Sequence, residues 1–152
     1  MAAIILLAPT TNWGRMVDRA TGSMGWSHVL LDAGEEDDDG IPLWWDCTPA
    51  RGIHRVRATK TNYTRRDSAR IELQAADSIF VWRCATVCRG RNYSTRDSCA
   101  SWVIRCLPPY LEVFCESVAE RYKMPLSPNV LAIAFGISEP GETVVIGSDG
   151  SS

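Results

Sequence analysis

The chain has only two histidines, His28 and His54, no Cys-x-x-Cys pair, and no apolar run long enough to cross a bilayer. Each absence excludes something. With two imidazoles and only Cys84-x-x-x-Cys88 as a close cysteine pair, the spacing of a zinc site is missing, and no metal or other cofactor is expected. Met1 to Pro9 carries an apolar run without a basic leader or a small-residue cleavage site. It reads as a buried strand rather than an export signal or a transmembrane segment, so a cytoplasmic protein is expected. A formal net charge of −2 gives no global attraction to nucleic acid or membranes. The stretch from Arg51 to Arg70 does hold 7 of the 16 basic residues. Without aromatic interleaving it reads as a solvated face plus loop, and no nucleic-acid partner is expected.

What is present is a chain of 152 residues with the composition of an ordinary globular protein and enough length for one buried core. Residues 1–137 read as one domain and residues 138–152 as a flexible polar tail. The six cysteines (47, 84, 88, 99, 106, 115) are many for this length. They admit either a disulfide-stapled secreted domain or a reduced protein with small buried thiols, and the missing export signal favours the second.

Hydrophobic patterning predicts an α+β domain, a small antiparallel sheet packed against helices. Strands are expected at Ile4–Ala8, Gly25–Asp32, Leu43–Cys47, Ile53–Arg57 and Ala69–Gln74. The acidic, glycine-bounded stretch at 33–41 is the turn of a hairpin. Helices are expected at Gly14–Ala20 with Met16, Val17 and Ala20 on one face, and at Ala75–Val87 with residues 75, 76, 79, 80 and 87 inward. A third opens in the polar run 92–98 and ends at Pro108, and two more follow at about 110–122 and 128–135.

Cys99 stands apart from the other cysteines. It falls in the first turn of the third helix, after Asp97 and Ser98, either of which can cap. Backbone N–H groups and the helix dipole there stabilise a thiolate and can form part of an oxyanion hole. The competing reading is a core cysteine that lies early in a helix by chance. A thiol nucleophile needs a base. His54 lies among Arg51, Arg55 and Arg57, which disfavour its charged form, leaving His28 as the better candidate, although a strand histidine is often only structural. If Asp32 and Pro42 close the hairpin, residues whose numbers sum to 74 face each other and Asp46 lies opposite His28, close enough to orient it. A slip of one would place Trp45 or Cys47 there, and Asp46 could equally make a turn with Thr48.

The order histidine, acid, cysteine, with residues 20–29 (ATGSMGWSHV), 45–49 (WDCTP) and 93–103 around Cys99, resembles the circularly permuted papain-like cysteine hydrolases. These are permuted relatives of the NlpC/P60 peptidases that include the YiiX-like proteins and the lecithin-retinol acyltransferase group. Ser127-Pro128 before the last helix is similar to the family's C-terminal segment. The resemblance implies a permuted papain-like fold with Cys99 as nucleophile at a helix N-terminus, His28 as base and Asp46 orienting it. It implies cleavage of an amide bond, peptide or isopeptide, through an acyl-enzyme, on a peptide, peptidoglycan-type or acyl substrate. The acyltransferase branch often has Asn before the cysteine; Ser98 here points away from it. The alternatives are a thioesterase or acyltransferase acting on lipid or thioester substrates, and an inactive binding module of the same fold.

Overall fold

A computed structural model of the protein describes residues 1–58, 67–94 and 97–147. The elements follow in the order β1 (Ala3–Leu7), α1 (Asn12–Ala20), β2 (His28–Glu36), β3 (Pro42–Thr48), β4 (Gly52–Arg57), β5 (Ser68–Leu73), α2 (Ala75–Cys88), α3 (Ser101–Cys106), α4 (Pro109–Arg121), α5 (Pro128–Phe135) and β6 (Thr143–Ile146). The strands form one six-stranded sheet in the order β4-β3-β2-β1-β5-β6. The α+β class is as expected, but the sheet is mixed rather than antiparallel. β6 runs parallel to β5, with Arg70 opposite Thr143 and Leu73 opposite Ile146. Part of the stretch expected as a loose tail from Ser138 is therefore an edge strand, and Ser138 itself donates to the Glu142 carboxylate at 2.7 Å. Residues 148–152 lie outside the described residues.

β1 lies between β2 and β5, which explains its unbroken apolar sequence. Ile4 and Leu6 join the main core on the helical side with Val29, Leu31, Trp45 and Ile71. Ile5 and Leu7 join Leu30 and Trp44 in a smaller cluster on the opposite face. A strand apolar on both faces cannot alternate. The main core reaches α2–α5 through Val81, Ala85, Trp102, Val103, Cys115, Val130 and Leu131. Each large side chain fully buried in this way contributes about 1.5–3 kcal/mol. Trp45 and Trp102 meet with ring centroids 6.4 Å apart and an interplanar angle of 58°, coupling β3 to α3.

Two helical faces differ from expectation. α1 buries none of its residues, and Met16 lies largely in solvent. α2 buries Asp77, Val81, Ala85 and Cys88, while Ile79, Phe80 and Val87 are exposed. α2 has apolar residues on several sides, so periodicity alone does not select a face. Asp77 turns inward because its carboxylate accepts a hydrogen bond from Tyr110 Oη at 2.6 Å.

The hairpin register is also corrected. β2 continues to Glu36, and the turn occupies 37–41, where Asp37 Oδ1 accepts from the backbone N–H groups of Asp39 and Ile41. Glu36 faces Pro42 and Glu35 faces Leu43. A bulge then shifts the pairing, so that Asp32 faces Trp44 and Leu31 faces Trp45. Gly34, with φ of +80°, supplies the left-handed residue within the bulge. The assumed Asp32–Pro42 closure does not occur.

At the far end of β3, Gly52 has φ of +65° and lies so close to the chain at Arg91 that a Cβ there would collide with the Arg91 carbonyl. Ile53 N–H donates to Arg91 O at 2.8 Å and Gly90 N–H donates to Ile53 O at 2.9 Å. These contacts fasten the segment leading to Cys99 onto the sheet edge.

The expected basic face is largely neutralised where it is described. Arg55 pairs with Glu35 at 2.7 Å, Arg57 with Asp37 at 2.7 Å, and Arg70 with Asp32 at 2.8 Å. Lys60, Arg65 and Arg66 lie outside the described residues. Among the described residues no helix is long and apolar enough to cross a membrane.

Candidate active site

The C-terminal end of β1, the first residue of β2 and the end of β3 meet at one end of the sheet's interior strands. Leu7 pairs with His28 there, and Ser27 N–H donates to Leu7 O at 3.0 Å. His28 Nε2 lies 2.6 Å from Asp46 Oδ1, and Asp46 is fully buried. Cys99 lies near enough to His28 for its thiol to act on the imidazole and raise its pKa. With Nε2 engaged by the carboxylate, Nδ1 is the ring nitrogen left for the thiol. The three residues singled out in the sequence therefore come together around the His28 imidazole.

The pairing of His28 with Asp46 survives the wrong register for a geometric reason. On the His28 side of the bulge, facing residues sum to 76 rather than 74, and the same register carried one residue further would set Leu30 opposite Asp46. A shift of two preserves the face, and a diagonal neighbour remains within reach of long side chains. His54 is the residue opposite Asp46 on β4, but its Nδ1 is turned to the Gly52 carbonyl at 2.8 Å.

Burial by itself would lower the His28 pKa. The hydrogen bond to Asp46, the nearby Cys99 thiol, and the negative charge of both residues outweigh it and raise His28 from 6.5 to about 10. The imidazolium is thus favoured through neutral pH. Cys47, the other thiol in the neighbourhood, is driven the opposite way. Burial, followed by the charges of Cys99, Asp46 and Asp97, pushes it up to about 12. Its Sγ donates to the Asp97 carbonyl at 2.9 Å, so it serves as a structural thiol.

Cys99 lies in the turn just before α3 rather than within the helix, which begins at Ser101. The turn is nevertheless capped by Ser98. Its Oγ accepts from Ser101 N–H at 3.3 Å, and Ser101 Oγ accepts from Ser98 N–H at 2.8 Å. This reciprocal arrangement, together with Trp102 N–H to Ser98 O at 3.4 Å, makes Cys99 the first residue of a capped turn continuous with α3. Arg105 pairs with Asp97 at 3.0 Å and fixes the approach. Thr95 and Arg96, within the polar run expected to open this helix, lie outside the described residues. Tyr93 is close enough for the Cys99 and Cys47 charges to raise its pKa, after the larger effect of burial. Trp26 is a core residue.

A groove of about 220 Å³ runs beside His28, lined by Thr10, Thr11, Trp13, Gly14, Val17, Ser27 and Thr48. α1 forms its wall. Thr11 caps the helix, its Oγ1 accepting from Gly14 N–H at 3.0 Å.

One residue missed in the sequence positions this end of the sheet. Asn129, fully buried at the start of α5, accepts from Trp26 N–H through Oδ1 at 3.2 Å. Its Nδ2 lies 3.0 Å from Asp18 Oδ1 and 3.1 Å from Thr21 O. Asp18 Oδ1 also accepts from Gly25 N–H at 2.8 Å. Asn129 thus clamps the loop that delivers His28 two residues later. A lone Asn within the apolar stretch 125–135 was the available signal. Asn129→Ala is expected to cost about 1–3 kcal/mol, because it leaves buried donors and acceptors unpaired. Denaturant unfolding reads that loss, and alkylation of Cys99 in the folded fraction should slow as His28 moves.

No protein-family model, no curated protein and no solved structure matches the chain. Its chemistry has to be read from the site itself.

Proposed function

We propose that the protein is a cysteine hydrolase that cleaves an amide bond through an acyl-enzyme on Cys99. The observation that carries this reading is the imidazole of His28 bonded to the buried Asp46 carboxylate at 2.6 Å with the Cys99 thiol beside it. A structural histidine needs one partner; a thiol-activating one needs both, in this order. The permuted papain-like fold is part of the same proposal, supported by the order of the three residues and by the placement of Cys99 ahead of a helix.

The Cys99 thiolate attacks the substrate carbonyl, forming the S–C bond, while the Cys99 backbone N–H in the Ser98-capped turn faces the developing oxyanion. The tetrahedral intermediate collapses as His28 gives its proton to the leaving nitrogen and the C–N bond breaks. Neutral His28 then takes a proton from water, which attacks the thioester and releases the carboxylic acid and the thiolate. Asp46 keeps the imidazole oriented and stabilises its charged form in both halves. The groove beside His28 suits an extended peptide, since Thr10, Thr11, Ser27 and Thr48 present hydroxyls along it. All six cysteines are free thiols, which suits a reducing compartment such as the cytoplasm.

A thioester or lipid acyl donor is the second reading, favoured by Trp13 and Val17 in the groove wall, with Trp13 71% exposed. Activated amide, ester and thioester donors, followed by peptide mass spectrometry, test both readings. The expected result is a single acyl adduct on Cys99, with turnover of the amide donor. Adducts spread over several cysteines, or none, would remove the hydrolase reading, and turnover of esters and thioesters alone would select the second.

A further inference from the structure

We propose that Cys84, Cys88 and Cys106 form a binding site for a soft, thiophilic metal cation, separate from the Cys99 centre. The three sulfur atoms all lie within 4.8 Å of one another. Cys84 and Cys88 are one turn apart on α2, so they project on one side, and Cys106 is the last residue of α3. The sequence spacing of the first two had carried no metal site; packing of α3 against α2 adds the third ligand.

Metal–thiolate bonds of about 2.3 Å in trigonal or tetrahedral geometry set the sulfurs about 3.8–4.0 Å apart, inside the 4.8 Å that bounds the separations present. Three thiolates and few harder donors select zinc or monovalent copper over magnesium or calcium. A cavity of about 240 Å³ borders the cluster, lined also by Arg91, Arg105 and Glu112. It leaves room for water at a fourth position. Asp97 also lines the cavity and is already paired with Arg105 at 3.0 Å, so the positive charge nearest a trithiolate complex beyond that pair is the guanidinium of Arg91. A disulfide would use two of the sulfurs and leave the third unexplained; a metal ion uses all three.

The ligating form of a cysteine is its thiolate, so each ligating thiol gives up a proton to solvent when the ion binds. Affinity therefore rises with pH. The ion joins α2 to the C-terminal end of α3, whose other end carries the Cys99 turn.

The test is titration of the reduced, chelator-treated full chain with Co²⁺, followed by thiolate-to-cobalt charge-transfer absorbance and displacement by Zn²⁺. One equivalent should bind, unchanged in Cys99→Ser. Cys84→Ser, at a half-buried position that tolerates the hydroxyl, and Cys106→Ser should each weaken binding at least about 100-fold, the most that loss of an outer-shell partner alone costs. Circular dichroism verifies that both variants are folded; should Cys106→Ser not fold, Cys84→Ser alone decides. Absence of the absorbance band in the reduced wild type would overturn the proposal. So would a band that persists in Cys84→Ser or disappears in Cys99→Ser, since the ion would then sit at the Cys99–His28 pair.

Discussion

Cys99→Ala is expected to abolish acyl transfer, and His28→Ala to cost nearly as much, on the order of 10⁶-fold in turnover for either. The two losses should be similar and far from additive, because the thiolate and the imidazolium are one functional unit. Without Cys99 there is no atom to hold the acyl group. Cys47 cannot replace it, since burial and the surrounding negative charge push its thiol up to about 12 and its Sγ is committed to the Asp97 carbonyl. Without His28 the thiol loses its proposed base, and the leaving nitrogen loses its proton donor. Single-turnover acylation with the donor that labels the wild type separates the two roles. Cys99→Ala should give no adduct, while His28→Ala should give a slow adduct that fails to hydrolyse.

Asp46 is expected to have the next largest effect, and the effect should depend on pH. The His28 value in the folded protein, about 10, lies above its ordinary 6.5. The charged pair therefore contributes its full stability below about pH 6.5, and the contribution fades as the pH rises through about 10. Asp46→Ala removes the fully buried partner and should destabilise the protein by about 3–5 kcal/mol at pH 6, as breaking a buried pair does. Urea unfolding at pH 6 and pH 10 should find the penalty much smaller at the higher pH. Asp46→Asn keeps a hydrogen-bonding group without the charge. It should bring the His28 titration, followed by NMR, down from about 10, and lower turnover by up to about 10⁴-fold. An Asp46→Asn protein with an unchanged His28 titration would mean that the carboxylate does not sustain the imidazolium.

The proposed catalytic residues could be singled out because their chemistry is scarce in this chain. With two histidines, choosing between His28 and His54 needed only the arginines around His54. Asp46 was found by an incorrect register. The glycine-rich acidic stretch looked like one long turn, whereas β2 runs through it with a bulge around Gly34, and two-residue parity kept Asp46 on the right side. Parity is a property of the strand and was readable; the bulge depends on how Gly34 fits against its neighbours and was not. β6 escaped because Thr143–Ile146 is too short for alternation to distinguish it from a loop, and its place in the sheet is set by pairing with β5. The inward face of α2 escaped for a related reason. Its packing partner, not its periodicity, chose Val81 and Ala85 over Ile79 and Phe80. Asn129 and Cys106 act through residues distant in sequence, and only the tertiary fold brings these together.

The most direct measurement is the rate of iodoacetamide alkylation at each cysteine between pH 5 and pH 9, resolved by peptide mass spectrometry, in the wild type and in His28→Ala. If His28 holds a thiolate at its side, Cys99 reacts at pH 6 far faster than the half-buried Cys84, and His28→Ala removes that advantage. A Cys99 that reacts no faster than Cys84 at pH 6, or equally fast without His28, would contradict the thiolate–imidazolium pair and with it the hydrolase.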